Sequence, residues 1–366
     1  MTDSNAHPQV PLYPGEVLDT VAGFPMIYHH QPAHPSDSPS APKPLMVCVP
    51  GSMHLARVFY GGHDGSRPDD FLAYWLSQRG FGVLSLSYPL ESNPAIMPSI
   101  ASRFRVSDWG RQAAEATAGV IEQYPSRSIV LISWSMGGRV VVPFTVAAKG
   151  LGMDIQQYIS FAATPGISNM RSVPRGIQCS SVGYFSAPSR IEEVFTKQLD
   201  EMERSNGGRI IIPRDIYRRE YIGGIPISLT GFCLKYDGQG AFIRDEVPHE
   251  EESRVFDVLN LPLISAIYPT SILDASHALS DRATWGFLMT RKLESMIRVQ
   301  DIEGGKWSQI LDLVHLAPSR LCIAAEGNHF FFVGQRGAKA TADHVVGLLR
   351  QGTMIQAEIS SLIGPA

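Results

Sequence analysis

A serine at a sharp corner is the strongest indication of chemistry in this chain. It follows the apolar run 128–132, and the corner has the sequence Ser133-Trp134-Ser135-Met136-Gly137. A buried strand, a small-X-Ser-X-Gly corner and a following helix together form a nucleophile elbow. Such a corner projects the Ser135 hydroxyl above the strand edge, where a helix N-terminus stabilises developing negative charge. Ser133 stands where the pattern usually has glycine, and it is small enough for the turn.

His329 is the candidate base. A serine hydroxyl is a weak nucleophile until a base takes its proton, and histidine has a pKa suited to that task. Among the eleven histidines, His329 is the best placed, because it directly follows the last predicted strand. A loop at that point would bring its imidazole to the edge of the sheet that carries Ser135.

The candidate acid is an aspartate between the serine and the histidine. An imidazole base needs a carboxylate to fix its tautomer and to stabilise the imidazolium. Asp274 follows a predicted strand at 263–267 and is the preferred acid. Asp281 is the alternative, although it could instead cap a helix that begins near Arg282.

Two backbone amides are the candidate donors to an oxyanion. One is the amide of Met136, directly after the serine. The other is the amide of Ser52, in the loop after the first apolar strand, where Gly51 allows a close backbone approach. Met53, beside that donor, and Trp134, beside the nucleophile, are expected to line the substrate pocket.

The elements that position these residues alternate between strand and helix. Short apolar runs predict strands buried on both faces. After an edge hairpin in 16–30, the predicted strands are 45–49, 82–87, 128–133, 157–162, 263–267 and 320–325. The predicted helices between and after them are 68–79, 107–123, 137–149, 282–298 and 341–351. This alternation predicts an α/β fold with a mostly parallel sheet and helices on both faces.

The alternation stops after Pro165-Gly166 and resumes near residue 256. An amphipathic helix is predicted at 190–205, and the remaining stretch is charged and rich in Tyr and Gly. We therefore expect a cap or lid at 167–255. It would be inserted between an N-terminal core part at 1–166 and a C-terminal core part at 256–366.

In the order of these segments the chain resembles the α/β-hydrolase family. The resemblance covers most of 45–165 and 256–352, and it includes the family's order of serine, acid and histidine. The Pro50-Gly51 pair replaces the family's His-Gly, and no His-Gly-Gly-Gly sequence is present. The resemblance implies a hydrolase sheet with an inserted cap. It also implies a nucleophile, base and acid at Ser135, His329 and Asp274, with the oxyanion hole at the amides of Ser52 and Met136.

The function expected from these residues is hydrolysis of an ester or thioester through an acyl-enzyme on Ser135. The substrate would be a small, partly apolar molecule, and neither a metal nor an organic cofactor is needed. The same three residues could serve an acyltransferase, or a lyase or C–C bond hydrolase. A ligand-binding protein on a hydrolase scaffold is an alternative of another class, because a fold does not dictate a function.

Composition argues against several other classes of protein. The net charge is −4 and no run of Lys and Arg stands out, so neither nucleic acid nor an anionic membrane is an expected partner. No apolar run is long enough to span a bilayer, and residues 1–7 lack a signal pattern. Four widely spaced cysteines, with Cys48 and Cys322 expected to be buried, favour a reduced, cytoplasmic protein. The sequence leaves the oligomeric state open.

Overall fold

The computed structural model describes residues 10–35, 42–100, 103–125, 127–188, 191–297, 302 and 304–363. The N-terminal residues on which the prediction of no signal peptide rests lie outside the described residues. The strands are, in chain order, β1 (Glu16–Val21), β2 (Phe24–Gln31), β3 (Leu45–Val49), β4 (Val83–Ser87), β5 (Ser128–Trp134), β6 (Asp154–Phe161), β7 (Gln178–Cys179), β8 (Tyr184–Ser186), β9 (Ile225–Pro226), β10 (Leu234–Tyr236), β11 (Phe242–Arg244), β12 (Ile264–Pro269) and β13 (Cys322–Ala325).

A central eight-stranded sheet has the order β1-β2-β4-β3-β5-β6-β12-β13. Strand β2 is antiparallel to β1 and β4, and the remaining neighbours in the sheet are parallel. Strands β3 and β4 are buried along their whole length, because helices and loops cover the apolar side chains of both faces. The predicted α/β fold with a mostly parallel sheet is confirmed.

The register places the carboxyl ends of the central strands at one edge of the sheet. Val49 at the end of β3 pairs with Ser133 in β5. Trp134 at the end of β5 pairs with Phe161 at the end of β6. The last residues of β12 and β13 likewise face each other. The loops that follow these strands therefore start side by side.

The helices pack in groups around the sheet. The α-helices are α1 (Arg57–Tyr60), α2 (Leu72–Gln78), α3 (Val106–Ile121), α4 (Val141–Gly150), α5 (Thr196–Ser205), α6 (Arg214–Ile216), α7 (His249–Ser253), α8 (Ala275–Met296), α9 (Trp307–Leu321) and α10 (Gln335–Ile363). Helix α3 packs against α4, whereas α10 packs against α2 and α9. Short 3₁₀ segments lie at Pro68–Asp70, Ser135–Val140, Ile227–Thr230, Ile272–Asp274 and Gly304–Lys306, and π-helical turns at Ile191–Phe195 and Tyr217–Tyr221.

Three helices differ most from the sequence prediction. Helix α8 begins seven residues before the predicted start at 282, and its first two turns present the exposed Leu279, which hides the apolar period. Helix α9 was not predicted. Helix α10 extends beyond 341–351 at both ends. Its first turns pack through small residues, which give little apolar signal, namely Gly337, Ala338, Thr341 and Ala342.

Residues 167–255, here called the inserted segment, lie between β6 and β12 and include β7–β11 and α5–α7. Arg105, just before α3, binds Asp245 at 2.6 Å and Glu252 at 2.7 Å. The Ser228 hydroxyl donates to the Phe104 carbonyl at 2.7 Å. These bonds tie the segment to the sheet domain. Its assignment as a cap, with the core divided at 166 and 256, stays a prediction.

Among the residues that the structure describes, no helix combines the length and the apolar character that a membrane crossing demands. Cys48 and Cys322 are buried, as predicted, and the four cysteines are free thiols.

A buried ion pair anchors the loop that follows β3. The Arg57 guanidinium binds the Glu16 carboxylate through two hydrogen bonds of 2.7 Å, and both side chains are fully buried. Glu16 also accepts the Tyr60 hydroxyl at 2.6 Å and the Tyr13 amide at 2.7 Å. The pair links edge strand β1 to α1, which directly follows the loop that contains Ser52.

Removing one partner of this pair should destabilise the fold. Glu16→Gln leaves the Arg57 charge buried without its counterion, a change that costs about 3–5 kcal/mol of unfolding free energy. The matched control is Asp343→Asn, because Asp343 binds Arg79 at 2.6 Å on the surface. An exposed pair contributes less than about 1 kcal/mol. Urea denaturation measures the unfolding free energy of both variants. Equal losses of unfolding free energy would contradict the anchoring role of the buried ion pair.

Candidate active site

Ser135 occupies a strained corner at the end of β5. Its φ of 54° lies in the left-handed region, which non-glycine residues adopt rarely and mostly where the surrounding structure enforces it. The Thr164 amide, after β6, donates to the Ser135 carbonyl at 2.8 Å and holds the turn. A 3₁₀ segment, Ser135–Val140, then leads into α4. This is the strand, corner and helical segment that the sequence predicts.

The corner is packed so closely that two glycines are required. A Cβ added at Gly51 would lie 2.6 Å from the Ser135 Cβ and 3.3 Å from its Oγ. One added at Gly137 would lie 2.9 Å from the Pro50 carbonyl oxygen and 3.2 Å from the Ser133 Cβ. The loop after β3 and the serine corner therefore touch through backbone. Ser133 fits in place of glycine, and its hydroxyl is hydrogen-bonded to the Tyr158 hydroxyl at 2.7 Å.

His329 and Asp274 form a hydrogen-bonded pair. The distance from His329 Nδ1 to Asp274 Oδ2 is 2.7 Å, and both side chains are largely buried. Burial disfavours the charged carboxylate of Asp274. The adjacent His329 ring, together with His277 and Arg171, outweighs that effect and lowers the pKa of Asp274 below its usual value. The carboxylate therefore stays ionised, as a group that orients an imidazole must.

Asp281, the alternative acid, belongs to a second histidine pair. It lies inside α8 and does not cap a helix near Arg282. Both of its carboxylate oxygens lie 2.9 Å from Nδ1 of His277. The His277 ring packs against the His329 ring, with 5.0 Å between centroids. Of the two aspartates, Asp274 is the one hydrogen-bonded to His329.

One cavity brings most of these residues together. It has a volume of about 350 Å³, and its lining includes Ser52, Ser135, Met136, Asp274, His277 and His329. Apolar side chains of the inserted segment close its other side, among them Phe185, Val194, Phe195 and Phe232. Both expected oxyanion donors therefore belong to residues that line the same cavity as the serine.

The order of the strands and the left-handed backbone conformation of Ser135 at the end of β5 identify the fold. The chain has the α/β-hydrolase fold. The loop with Ser52, the corner with Ser135, and the residues Asp274 and His329 each follow the carboxyl end of a parallel strand of the sheet, namely β3, β5, β12 and β13.

Comparison with known proteins gives only distant structural likenesses. No protein-family model and no curated protein sequence matches the chain. A thioesterase domain from the curacin biosynthetic pathway is 11% identical, with 90% of this chain and 98% of that chain covered and a TM-score of 0.44. Epoxide hydrolase CorEH is 14% identical, with 92% and 98% covered and a TM-score of 0.47. An arylesterase is 11% identical, with 95% and 87% covered and a TM-score of 0.44. The fold assignment therefore rests on the strand order and the serine corner.

Met53 and Trp134 do not line the cavity, contrary to expectation. Met53 is 1% exposed, and its carbonyl accepts the Gly223 amide of the inserted segment at 3.0 Å, so it is covered. Trp134 is also 1% exposed. Its ring packs beside His329, with 5.0 Å between centroids, and its Nε1 donates to the His329 carbonyl at 2.9 Å. Trp134 therefore supports the histidine loop from behind.

Glu201 links two loops of the candidate site through hydrogen bonds that the sequence does not reveal. Its carboxylate accepts the Asn328 side-chain amide at 2.6 Å and the Ser271 hydroxyl at 2.9 Å. Asn328 precedes His329, and Ser271 begins the turn that carries Asp274. One carboxylate on α5 thus holds both loops. An amphipathic helix pattern marks α5 but gives no sign of which polar side chain points inward.

Three residues could also hold a metal ion. Asp274, His277 and His329 each have a potential ligand atom within 4.8 Å of the others. Carboxylate and imidazole ligands suit Zn²⁺. The Nδ1 atoms of both histidines are hydrogen-bonded to aspartates. The expectation that the chain needs no metal stays a prediction.

The buried Asp281 should make stability depend on pH. Burial and the nearby Asp274 carboxylate raise its pKa to about 8, against the opposing effects of Arg171 and His329. The unfolded carboxyl has a pKa of about 3.9. Between these values the folded protein keeps a proton that the unfolded chain releases, so stability falls as pH rises.

Asp281→Asn should remove this part of the pH dependence. An amide has no proton to lose, so the unfolding free energy of the variant should fall less between pH 5 and pH 8 than that of the wild type. Urea denaturation at four pH values measures both slopes, with Asp343→Asn as a surface carboxylate control. Equal slopes in the wild type and in Asp281→Asn would show that the carboxyl does not hold its proton.

Proposed function

We propose that the chain is a serine hydrolase that cleaves an ester or thioester of a small, partly apolar molecule through an acyl-enzyme on Ser135. The observation that carries this proposal is the strained Ser135 corner in one cavity with the hydrogen-bonded pair of His329 and Asp274. The left-handed backbone of Ser135 at the end of a central strand presents the serine hydroxyl to that cavity. A turn without a catalytic role would not need this backbone strain.

Acylation would begin with attack of Ser135 Oγ on the substrate carbonyl. His329 Nε2 takes the hydroxyl proton, and Asp274 stabilises the imidazolium through Nδ1. The amides of Ser52 and Met136 donate to the oxyanion of the tetrahedral intermediate. When the intermediate collapses, the carbonyl carbon loses the alkoxide or thiolate, which receives the proton from His329.

Deacylation would repeat these steps with water as the nucleophile. His329 takes a proton from water, hydroxide adds to the acyl carbon, and the departing Ser135 Oγ recovers the proton. The acid product then leaves. A cavity of about 350 Å³ that has phenylalanine side chains on one wall suits a small substrate with an apolar part.

A fluorophosphonate probe tests the nucleophile. We expect the wild type to be labelled on the peptide that contains residues 128–139, at Ser135, and Ser135→Ala to take up no label. Ser133→Ala is the matched control, because Ser133 lies two residues away and its hydroxyl is bonded to Tyr158. It should keep the label. A folded wild type that takes up no probe would favour a ligand-binding protein over a hydrolase.

A pair of aspartate substitutions tests the acid. Asp274→Asn should lower kcat on 4-nitrophenyl butyrate by about 10³–10⁴-fold, because the amide favours the wrong tautomer of His329. Asp281→Asn should lower it by less than about tenfold, since a protonated carboxyl and an amide are nearly isosteric. Steady-state kinetics at pH 7 compares them. The reverse order of losses would assign the acid to Asp281.

A further inference from the structure

Arg139 is a buried cation to which no described residue supplies a counterion. It lies in the 3₁₀ segment that begins at Ser135, and its side chain lines the cavity although the residue is only 4% exposed. Its Nε is fully buried and has no hydrogen-bond partner. Within the described part of the chain, its guanidinium forms neither a hydrogen bond nor an ion pair.

Among the described residues, no acidic side chain raises the pKa of Arg139. Burial, helped by the charge of Arg171, lowers the pKa of Arg139 to about 9. Burial and the Arg139 charge in turn lower the pKa of the neighbouring His249 to about 3, so that imidazole is neutral. Leaving a buried charge unpaired costs several kcal/mol, and proteins normally pair such groups. No described residue of the chain therefore pairs with Arg139.

The backbone leaves space for the guanidinium at this position. Gly231, in the inserted segment, has a φ of 72°, and a Cβ there would lie 2.8 Å from both Nε and Nη2 of Arg139. A second cation, Arg171, also lines the cavity and reaches the Ser276 hydroxyl. The ionised carboxylate of Asp274 partly balances Arg171, which helps to lower the pKa of that carboxyl. Within the part of the chain that the structure describes, no carboxylate balances Arg139 in this way.

We infer that the cavity takes a substrate with an anionic group, a carboxylate or a phosphate, and that Arg139 receives that group. This inference rests on the proposed hydrolase function and adds a substrate class to it. Guanidinium groups bind both anions through paired hydrogen bonds. Ser135 and Arg139 line one cavity of about 350 Å³, so a single small molecule can place its carbonyl at the serine and its anionic group at the arginine.

Matched substrates test the inference. The anionic probes are mono-4-nitrophenyl esters of the C4 to C8 dicarboxylic acids, and the neutral probes are the same compounds with the free carboxyl methylated. In the wild type we expect kcat/KM for the best anionic ester to exceed that of its methylated partner by at least about tenfold, as a charge-assisted hydrogen bond implies. The 4-nitrophenyl ester of 4-phosphonobutyrate distinguishes phosphate-type from carboxylate recognition.

Arg139→Gln should lower this ratio of anionic to neutral kcat/KM by about 10- to 100-fold. Arg291→Gln is the control for net charge, because Arg291 is a surface residue of α8 that pairs with Glu294. It should leave the ratio unchanged. Equal rates on anionic and neutral esters in the wild type, or the same ratio in Arg139→Gln, would overturn the inference.

A binding measurement separates this inference from the proposed function. With Ser135→Ala, which cannot form an acyl-enzyme, adipate or inorganic phosphate should raise Tm, and the double variant Ser135→Ala/Arg139→Met should lose that rise. Arg139→Met should itself raise the Tm of the free protein, because it removes an unpaired buried charge. A Tm rise that depends on Arg139, in a protein that fluorophosphonate does not label, would support the anion site and refute the hydrolase. Labelling without any anion effect on Tm or on the kcat/KM ratio would support the hydrolase and refute the anion site.

Discussion

The register of the parallel strands is the constraint on which the site depends. Neighbouring strands that point in the same direction end at the same edge, and hydrogen-bond pairing fixes how far each one reaches. The pairs Val49–Ser133 and Pro269–Ala325 place four loops from distant parts of the sequence side by side. A shift of one residue in any of these pairs would turn its side chains to the opposite face and separate the serine from the histidine loop.

The edge brings loops together, but it does not orient side chains. That task falls to contacts made between the loops. Gly51 and Gly137 allow backbone to meet backbone around the serine, Trp134 supports the histidine loop, and Glu201 joins that loop to the turn that carries Asp274. Each contact joins elements that are far apart in the sequence, so the geometry is a property of the assembled fold and of no single motif.

Much of the scaffold can be predicted from sequence because central strands are continuous apolar runs, and β3 is predicted with its observed bounds. The corner at Ser135 is predictable for a similar reason, since its geometry restricts which residues fit. Helix α10 is harder to delimit, because small residues such as Gly337 and Ala338 form its packing face. A long helix that packs through small side chains leaves a weak periodic signal.

Side-chain partners are the part that sequence does not supply. Asp274 and Asp281 both follow β12, and spacing alone leaves either as the acid. In the structure, each of the two aspartates is hydrogen-bonded to a different histidine. Arg139 is a second example, because the sequence does not reveal the surroundings of its side chain. An arginine at the start of a helix is usually solvated, and only the fold reveals that this one is enclosed.

The two hydrogen bonds of Glu201 have a consequence for how this architecture can diversify. The segment that supplies the apolar cavity wall also supplies the carboxylate that fixes the loops bearing Asp274 and His329. Replacement of this segment would therefore disturb the pairing of Asp274 with His329 together with the shape of the cavity. In a chimaera that takes this segment from another protein of the same fold, an acidic side chain must stand at the position of residue 201. Without that side chain, the loops that carry Asp274 and His329 would lose the contact that aligns them.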